Sequence, residues 1–122
     1  MDDLVGFLRA RLDEDAAVAH AAADGPWTPW RSTLHGLGDL LHPVSTAGQK
    51  PGARAGIATS SWLDAEHIAR WDPARVLAEV DSKRRAFELL HDEGGDLMFA
   101  DVFKLMALPY ADHPDYEDGW RP

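Results

Sequence analysis

The chain has 122 residues, 45% of them hydrophobic, which fits one domain with a single core and argues against global disorder. Its formal net charge is −9 and its basic residues are scattered among acids, so direct binding to nucleic acid is disfavoured. It has no cysteine, which excludes disulfides, thiolate metal sites and cysteine nucleophiles.

The N-terminal segment predicts an amphipathic helix rather than a targeting signal. Met1-Asp2-Asp3 is acidic where a secretory signal is basic, and no apolar run reaches the ~20 residues of a membrane span, so we expect a cytoplasmic protein outside the membrane. Asp2 or Asp3 caps a helix over about 3–23, and Gly25-Pro26 ends it. Its small and apolar residues recur every three or four positions on one face: Leu4, Leu8, Leu12, Ala16, Ala19 and Ala23.

The segment after this helix is rich in Gly, Pro, Ser and Thr and has only short apolar pieces. The pieces at 27–34 and 56–59 are candidate strands, which predicts a minor β-hairpin or an extended arm. Residues 45–52 have almost nothing to bury and are typical of a loop. We therefore expect 35–59 to be a flexible insertion or arm.

Two helices with clear starts come next. Ser61 and Asp64 match the outline of a capping box for a short helix at 62–70. Asp72-Pro73 then begins a longer helix, because Asp is a good N-cap and Pro suits the first helical position. This helix runs to about His91, and Gly94-Gly95 ends it.

The last predicted helix, over about 96–108, is apolar on nearly every side, and we expect it to be largely buried. Asp101 and Lys104 form its narrow polar side, and Pro109 ends it. The sequence thus predicts a mainly α fold, a small four-helix domain over 1–122 with a minor β-hairpin or extended arm between helices 1 and 2.

Three polar residues lie on helix faces that we expect to be buried away from water. Asp15 falls in the apolar stripe of the first helix, and Arg84 and His91 fall in that of the third. Since an unpaired buried charge is costly, we expect either a cross-helix pair between Asp15 and Arg84 or an Arg84 side chain that extends its head to water.

The histidines give two alternatives. His91 in the last turn of its helix is favoured there as a cap of exposed carbonyls. Alternatively, His67, His91 and the pair Asp112-His113 supply nitrogen and oxygen ligands for a zinc-like metal. The spacing is weak evidence for the metal, because Trp71 stands four residues after His67 where a helical site usually has a second ligand.

Trp27 and Trp30, split by Pro29, are candidate anchors for a protein partner, because Trp is enriched at interface hot spots. The alternative is that both cover the core from an irregular segment. Net acidity suits a basic partner surface, and it is also the ordinary means by which a small protein stays in solution.

Three stretches carry a family resemblance. They are the run from His67 to Val80 followed by Lys83-Arg84-Arg85, the N-terminal run from Asp3 to Leu12, and the C-terminal run from Leu108 to Tyr116. Together they resemble a family of small uncharacterised proteins from actinobacteria and their phages. The resemblance implies a lineage but no catalytic residues. Its members commonly have His at position 71, where this chain has Trp.

Two functional hypotheses follow. The first is a non-enzymatic protein-interaction protein of phage or mobile-element origin that uses its acidic surface and the Trp-bearing arm, without a cofactor. The alternative is a metal-binding protein or small enzyme with a site near His67, Arg84, His91 and 110–116. Neither a phosphate-binding glycine loop nor a nucleophile elbow is present to favour an enzyme.

Overall fold

The structure is a computed structural model that describes residues 1–29, 42–46, 57–59, 61–93 and 97–122. Its helices are α1 (Asp2–Ala21), α2 (Trp62–Arg70), α3 (Pro73–Asp92) and α4 (Ala100–Ala107), with short 3₁₀ helices at Leu108–Tyr110 and Asp118–Trp120. Its strands are β1 (Thr28–Pro29), β2 (His42–Ser45) and β3 (Ile57–Thr59). The mainly helical fold with a small antiparallel β element between the first two helices is confirmed.

The chain divides into two compact units. The first unit contains residues 1–17 and 79–122, and the second contains residues 18–78. No helix in the described residues is both long and apolar enough to cross a membrane.

The first unit is built on the apolar face of α1. Leu4 and Leu8 are each 1% exposed and lie one turn apart, as the sequence spacing predicts. Phe87 of α3 and Phe103 of α4 meet in the same core with ring centroids 5.0 Å apart. The buried members of this core are Leu4, Val5, Phe7, Leu8, Phe87, Phe103 and Ala107.

α4 differs from the sequence prediction of a largely buried helix. It buries Phe103 and Ala107 completely, while Leu105 on another side is 57% exposed. Periodicity shows which residues of a helix are apolar and not which of them are covered, so a helix that is apolar nearly all round can still be packed on one face only. The proposed stop at Gly94-Gly95 lies outside the described residues.

The second unit packs α2 on a three-stranded antiparallel sheet of order β1-β2-β3. Thr28 pairs with Ser45, and Val44 pairs with Ile57. Val44 is 1% exposed and contacts Ala65 and Ala69, whose small side chains let the helix approach the sheet.

The strand predictions are confirmed in part. β3 matches the candidate at 56–59, and β1 lies within the candidate at 27–34. β2 was not predicted. It lies within 35–59. In that segment the structure describes β2, Thr46 and β3, and the other residues are outside the described part of the chain. The flexible insertion proposed for 35–59 stays a prediction.

Asp72 organises the start of α3, as its N-cap role predicts, and also bonds to the chain before β1. One carboxylate oxygen accepts the Arg75 backbone N–H at 2.9 Å and the other accepts the Trp27 backbone N–H at 2.8 Å. Gly25 lies against it, since a Cβ at this position would stand 2.8 Å from Asp72 Oδ2 and 2.7 Å from the Ala74 Cβ. Asp72 therefore caps α3 and, from its buried position, also binds the backbone of Trp27 within the second unit.

Candidate functional site

The C-terminal segment of the first unit packs an aromatic cluster on α1. Phe7 of α1 is its centre and makes edge or tilted ring contacts at centroid distances between 5.0 and 6.4 Å. We call the following set the tail cluster: Phe7, Arg11, Asp15, Tyr110, His113, Tyr116 and Trp120. Of the metal-ligand candidates, His113 belongs to this cluster, whereas the neighbouring Asp112 is exposed.

Two polar contacts tie the tail cluster to α1. The Tyr110 hydroxyl donates to Asp15 Oδ2 at 2.6 Å, and the Arg11 guanidinium contacts His113 Nε2. Burial, and then the hydrogen bond to Asp15, raises the pKa of Tyr110, so its hydroxyl stays protonated and remains a donor. The Tyr116 hydroxyl is buried and has no hydrogen-bond partner among the residues that the structure describes.

Arg84 reaches α1, but its partner differs from the one expected. Its Nη2 lies 2.5 Å from Asp13 Oδ1 and 3.4 Å from the Leu12 carbonyl oxygen, whereas Asp15 bonds to Tyr110. The Asp15–Arg84 pairing was therefore wrong. At ~100° per residue, Asp13 and Asp15 point to nearly opposite sides of α1. The Arg84 side chain is 43% exposed, so its head reaches water as the alternative required.

A groove of about 210 Å³ lies between α1 and α3 beside this pair. The Arg9 guanidinium donates two hydrogen bonds, each 3.1 Å long, to the Glu88 carboxylate. The hydrogen bond from Arg9 lowers the pKa of Glu88, which therefore stays charged. The groove is lined by Arg9, Leu12, Asp13, Arg84, Phe87 and Glu88. Both of its arginines already bind carboxylates, which leaves it poorly suited to a charged ligand.

The proposed metal ligands have different surroundings in the structure. His91 stacks on Phe87 in α3 with ring centroids 5.9 Å apart, His113 contacts Arg11, and His67 lies exposed on α2 in the second unit. In the described parts of the chain, no group of three or more His, Asp or Glu side chains is placed to hold a metal ion. The zinc site stays a hypothesis without support from this geometry.

Trp27, one of the two partner-binding candidates, has a packing role. Its indole Nε1 donates to the Ala23 carbonyl oxygen at 3.0 Å, and its ring packs against the core around Val44. The side chain therefore covers the second unit's core, as the alternative proposed. Trp30 lies outside the described residues.

The exposed side of α4 and its flanks forms an apolar surface that the sequence did not reveal. Leu97 is 89% exposed, Met98 is 81%, and Leu105 is 57%. We call this surface the apolar strip: Leu97, Met98, Val102, Leu105 and Leu108. In the sequence, the signal for this surface is a helix with apolar residues on two faces. A helix that is buried on all sides has the same pattern, so the sequence does not distinguish the two cases.

A second exposed feature lies on α2. Leu63 is 73% exposed and Trp71 is 47% exposed, and between them runs a shallow groove of about 250 Å³. The Arg75 guanidinium lies 4.1 Å from the centre of the Trp71 ring. We call this feature the α2 groove, and it is lined by Leu63, Glu66, His67, Arg70 and Trp71.

The chain belongs to the Family of unknown function (DUF6221), whose model matches residues 1–122. The expected resemblance to an uncharacterised family is thereby confirmed, and membership assigns no reaction, ligand or partner. Comparison with curated proteins and comparison with solved structures each found no match.

Proposed function

We propose that this member of the family is a non-enzymatic protein-interaction protein, and that its apolar strip is the surface that docks a protein partner. The observation that carries the proposal is the exposure of Leu97, Met98 and Leu105 within one short segment. Large apolar side chains that cluster on a surface are typical of interaction sites, whereas scattered ones are not. Burying them against a partner removes apolar area from water, which is the main driving force of association.

The partner that fits is a protein with an apolar patch ringed by basic residues. The chain has a net charge of −9, and the exposed Asp101 lies beside the strip on α4. A basic rim is attracted by this field, which speeds encounter and favours the correct orientation. A second copy of the chain brings the same negative charge, so self-association through the strip is disfavoured.

The polar contacts of the first unit support binding rather than catalysis. Acid–base catalysis needs titratable groups that converge on a substrate pocket with their pKa values pushed apart. Here Tyr110 bonds to Asp15 and Arg84 to Asp13, so each of these groups already has a partner within the protein. The rival hypothesis, a zinc protein or small enzyme, is tested by metal analysis: stoichiometric zinc that is lost in His91→Ala would replace our proposal.

Affinity capture from an actinobacterial host or its phage-infected cells is the first step, because the sequence resembles proteins of that origin. Each captured protein is then purified and its Kd is measured with the wild-type chain, Leu105→Glu and the matched control Val18→Glu. Val18 is 68% exposed and lies outside the strip, so it reports the effect of adding a surface carboxylate elsewhere.

We expect Leu105→Glu to weaken binding at least ~10-fold, since burying a charge and losing a buried leucine each cost more than about 1.4 kcal/mol. Val18→Glu should leave the Kd unchanged. Circular dichroism of both variants checks that they fold. Equal affinity of folded Leu105→Glu and wild type for every captured protein would refute the proposal.

A further inference from the structure

We infer that Met98 is an oxidation site through which peroxides control the apolar strip. Met98 is 81% exposed, and it stands beside Leu97, which is 89% exposed. Conversion of this thioether to its sulfoxide places a polar group on the strip. The effect on docking rests on the proposed function, whereas the oxidation site itself rests on the exposure of the thioether.

The chemistry at the Met98 sulfur is a transfer of one oxygen atom. A lone pair of the sulfur forms the new S–O bond with hydrogen peroxide, the O–O bond breaks, and the second oxygen leaves as water with both protons. The sulfur is oxidised by two electrons and the peroxide is reduced by two. Methionine sulfoxide reductases reverse the change with two thiols, which become a disulfide while the oxygen leaves as water. The modification is therefore reversible.

Exposure distinguishes Met98 from the other two methionines. The chain has three methionines and no cysteine, so it offers the oxidant no competing thiol. Met1 is 40% exposed. Met106 is partly buried and packs against the core that contains Phe87 and Phe103. Because the oxidant has to reach the sulfur, oxidation begins at Met98.

Oxidation at Met98 changes the surface and spares the core. The side chain is mostly in water, so the contact between Phe87 and Phe103 stays in place when its sulfur is oxidised. Methionine sulfoxide is polar, which makes an apolar part of the strip into a hydrogen-bond acceptor. In a docked complex this oxygen loses its water, and burial of a polar group without a donor disfavours binding. The strip therefore docks in the reduced state and releases its partner after oxidation.

The site itself is tested with the purified chain and hydrogen peroxide alone. Wild type is treated with increasing peroxide, and peptide mapping by mass spectrometry follows the oxygen gained at each methionine. Met98 should be oxidised first, Met1 at about half that rate in proportion to its exposure, and Met106 last. Oxidation of Met98 no faster than that of Met106 would overturn the inference.

The change in the surface is measured by retention on a phenyl-substituted column. Met98→Leu keeps an apolar side chain of similar volume without the sulfur, and Met106→Leu is the matched control in α4. At a peroxide dose that oxidises mainly Met98, retention of wild type and of Met106→Leu should shorten, and that of Met98→Leu should not. Methionine sulfoxide reductase should restore the retention of wild type. Equal shortening in Met98→Leu would count against Met98 as the cause.

Control of docking is measured as the Kd for the proteins captured from the host. Peroxide should weaken the binding of wild type at least ~5-fold, because the sulfoxide is buried without a donor, and should leave the Kd of Met98→Leu unchanged. An unchanged Kd for wild type whose Met98 is oxidised would refute control of docking. Leu105→Glu separates the two failures. If it binds as wild type does, the proposed function and its control both fail, and the peptide map still decides the oxidation site. If it weakens binding and oxidation does not, only the present inference fails.

Discussion

The hydroxyl of Tyr110 donates a 2.6 Å hydrogen bond to the carboxylate of Asp15, and this contact fastens the C-terminal segment to α1. Asp15 is half-buried on α1, where a carboxylate without a partner is costly. The bond therefore satisfies a polar group in an otherwise apolar stripe. It also explains why an acidic residue is tolerated at position 15, although its expected partner Arg84 does not bind it.

Removal of this hydroxyl should destabilise the protein. We expect Tyr110→Phe to lower the free energy of unfolding by about 1–3 kcal/mol, because it leaves the Asp15 carboxylate unpaired. Tyr116→Phe is the matched control, since the Tyr116 hydroxyl is buried and unpartnered within the described residues, and its loss should be neutral or stabilising. Urea unfolding measures both. Equal effects of the two substitutions would contradict the assigned contact.

The partner of Arg84 can be tested by double-mutant cycles. Asp13→Ala and Arg84→Ala should show a coupling energy of about 0.2–1 kcal/mol, the usual range for an exposed ion pair. The cycle of Arg84→Ala with Asp15→Ala should show no coupling above error, because Asp15 bonds to Tyr110 instead. Larger coupling to Asp15 than to Asp13 would restore the pairing that the structure rejects.

Two glycines should respond in opposite directions to the same change. Gly25→Ala should destabilise by about 1–3 kcal/mol, because the new Cβ would stand 2.7 Å from the Ala74 Cβ and 2.8 Å from Asp72 Oδ2. Gly6→Ala should stabilise by about 0.5–1 kcal/mol, since Gly6 lies in α1 with open space around a Cβ. Thermal and urea unfolding give the sign of each effect. Destabilisation by Gly6→Ala would be inconsistent with this packing.

The pair between Arg9 and Glu88 predicts a pH-dependent contribution to stability. The pKa of Glu88 is lowered in the folded state from its ordinary value of 4.5, so its contribution is fully present above pH 4.5 and is lost as the pH falls through the folded pKa. Arg9→Gln should therefore reduce stability at neutral pH by less than about 1 kcal/mol, because both side chains are about half exposed. The difference from wild type should shrink at strongly acidic pH, where Glu88 is protonated and the contact of Arg9 with the Phe87 ring remains. A difference that grows on acidification would exclude this pair as its cause.

Local signals in the sequence predicted the starts of α2 and α3 well. Ser61 accepts a hydrogen bond from the Asp64 backbone N–H, and Asp72 accepts one from Arg75, as their capping patterns require. These predictions succeed because a cap depends on residues three apart in the chain. The second bond of Asp72, to the Trp27 backbone, could not be predicted because it joins residues far apart in sequence.

Longer-range features were predicted less well. β2 escaped notice because its partners β1 and β3 are themselves short, and a strand of this kind is defined by its neighbours more than by its own residues. Arg84 and Asp15 were correctly placed on inner faces of their helices. Helical periodicity indicates which face a side chain lies on, but it does not identify the residue that the side chain binds. For α4, apolar residues on nearly every side indicated burial, because periodicity alone does not say how much chain remains to cover them.

The central claim, that the apolar strip binds a protein, is tested most directly by site-specific photocrosslinking in native host cells. A photoreactive residue is placed at Met98, which is 81% exposed within the strip, and for comparison at Val18, which is 68% exposed outside it. We predict one dominant adduct from position 98. The crosslinked protein should have an apolar surface with a basic rim at the crosslink, and the same adduct should not form from position 18. The same adducts at the same yield from both positions, or none from position 98, would contradict the claim.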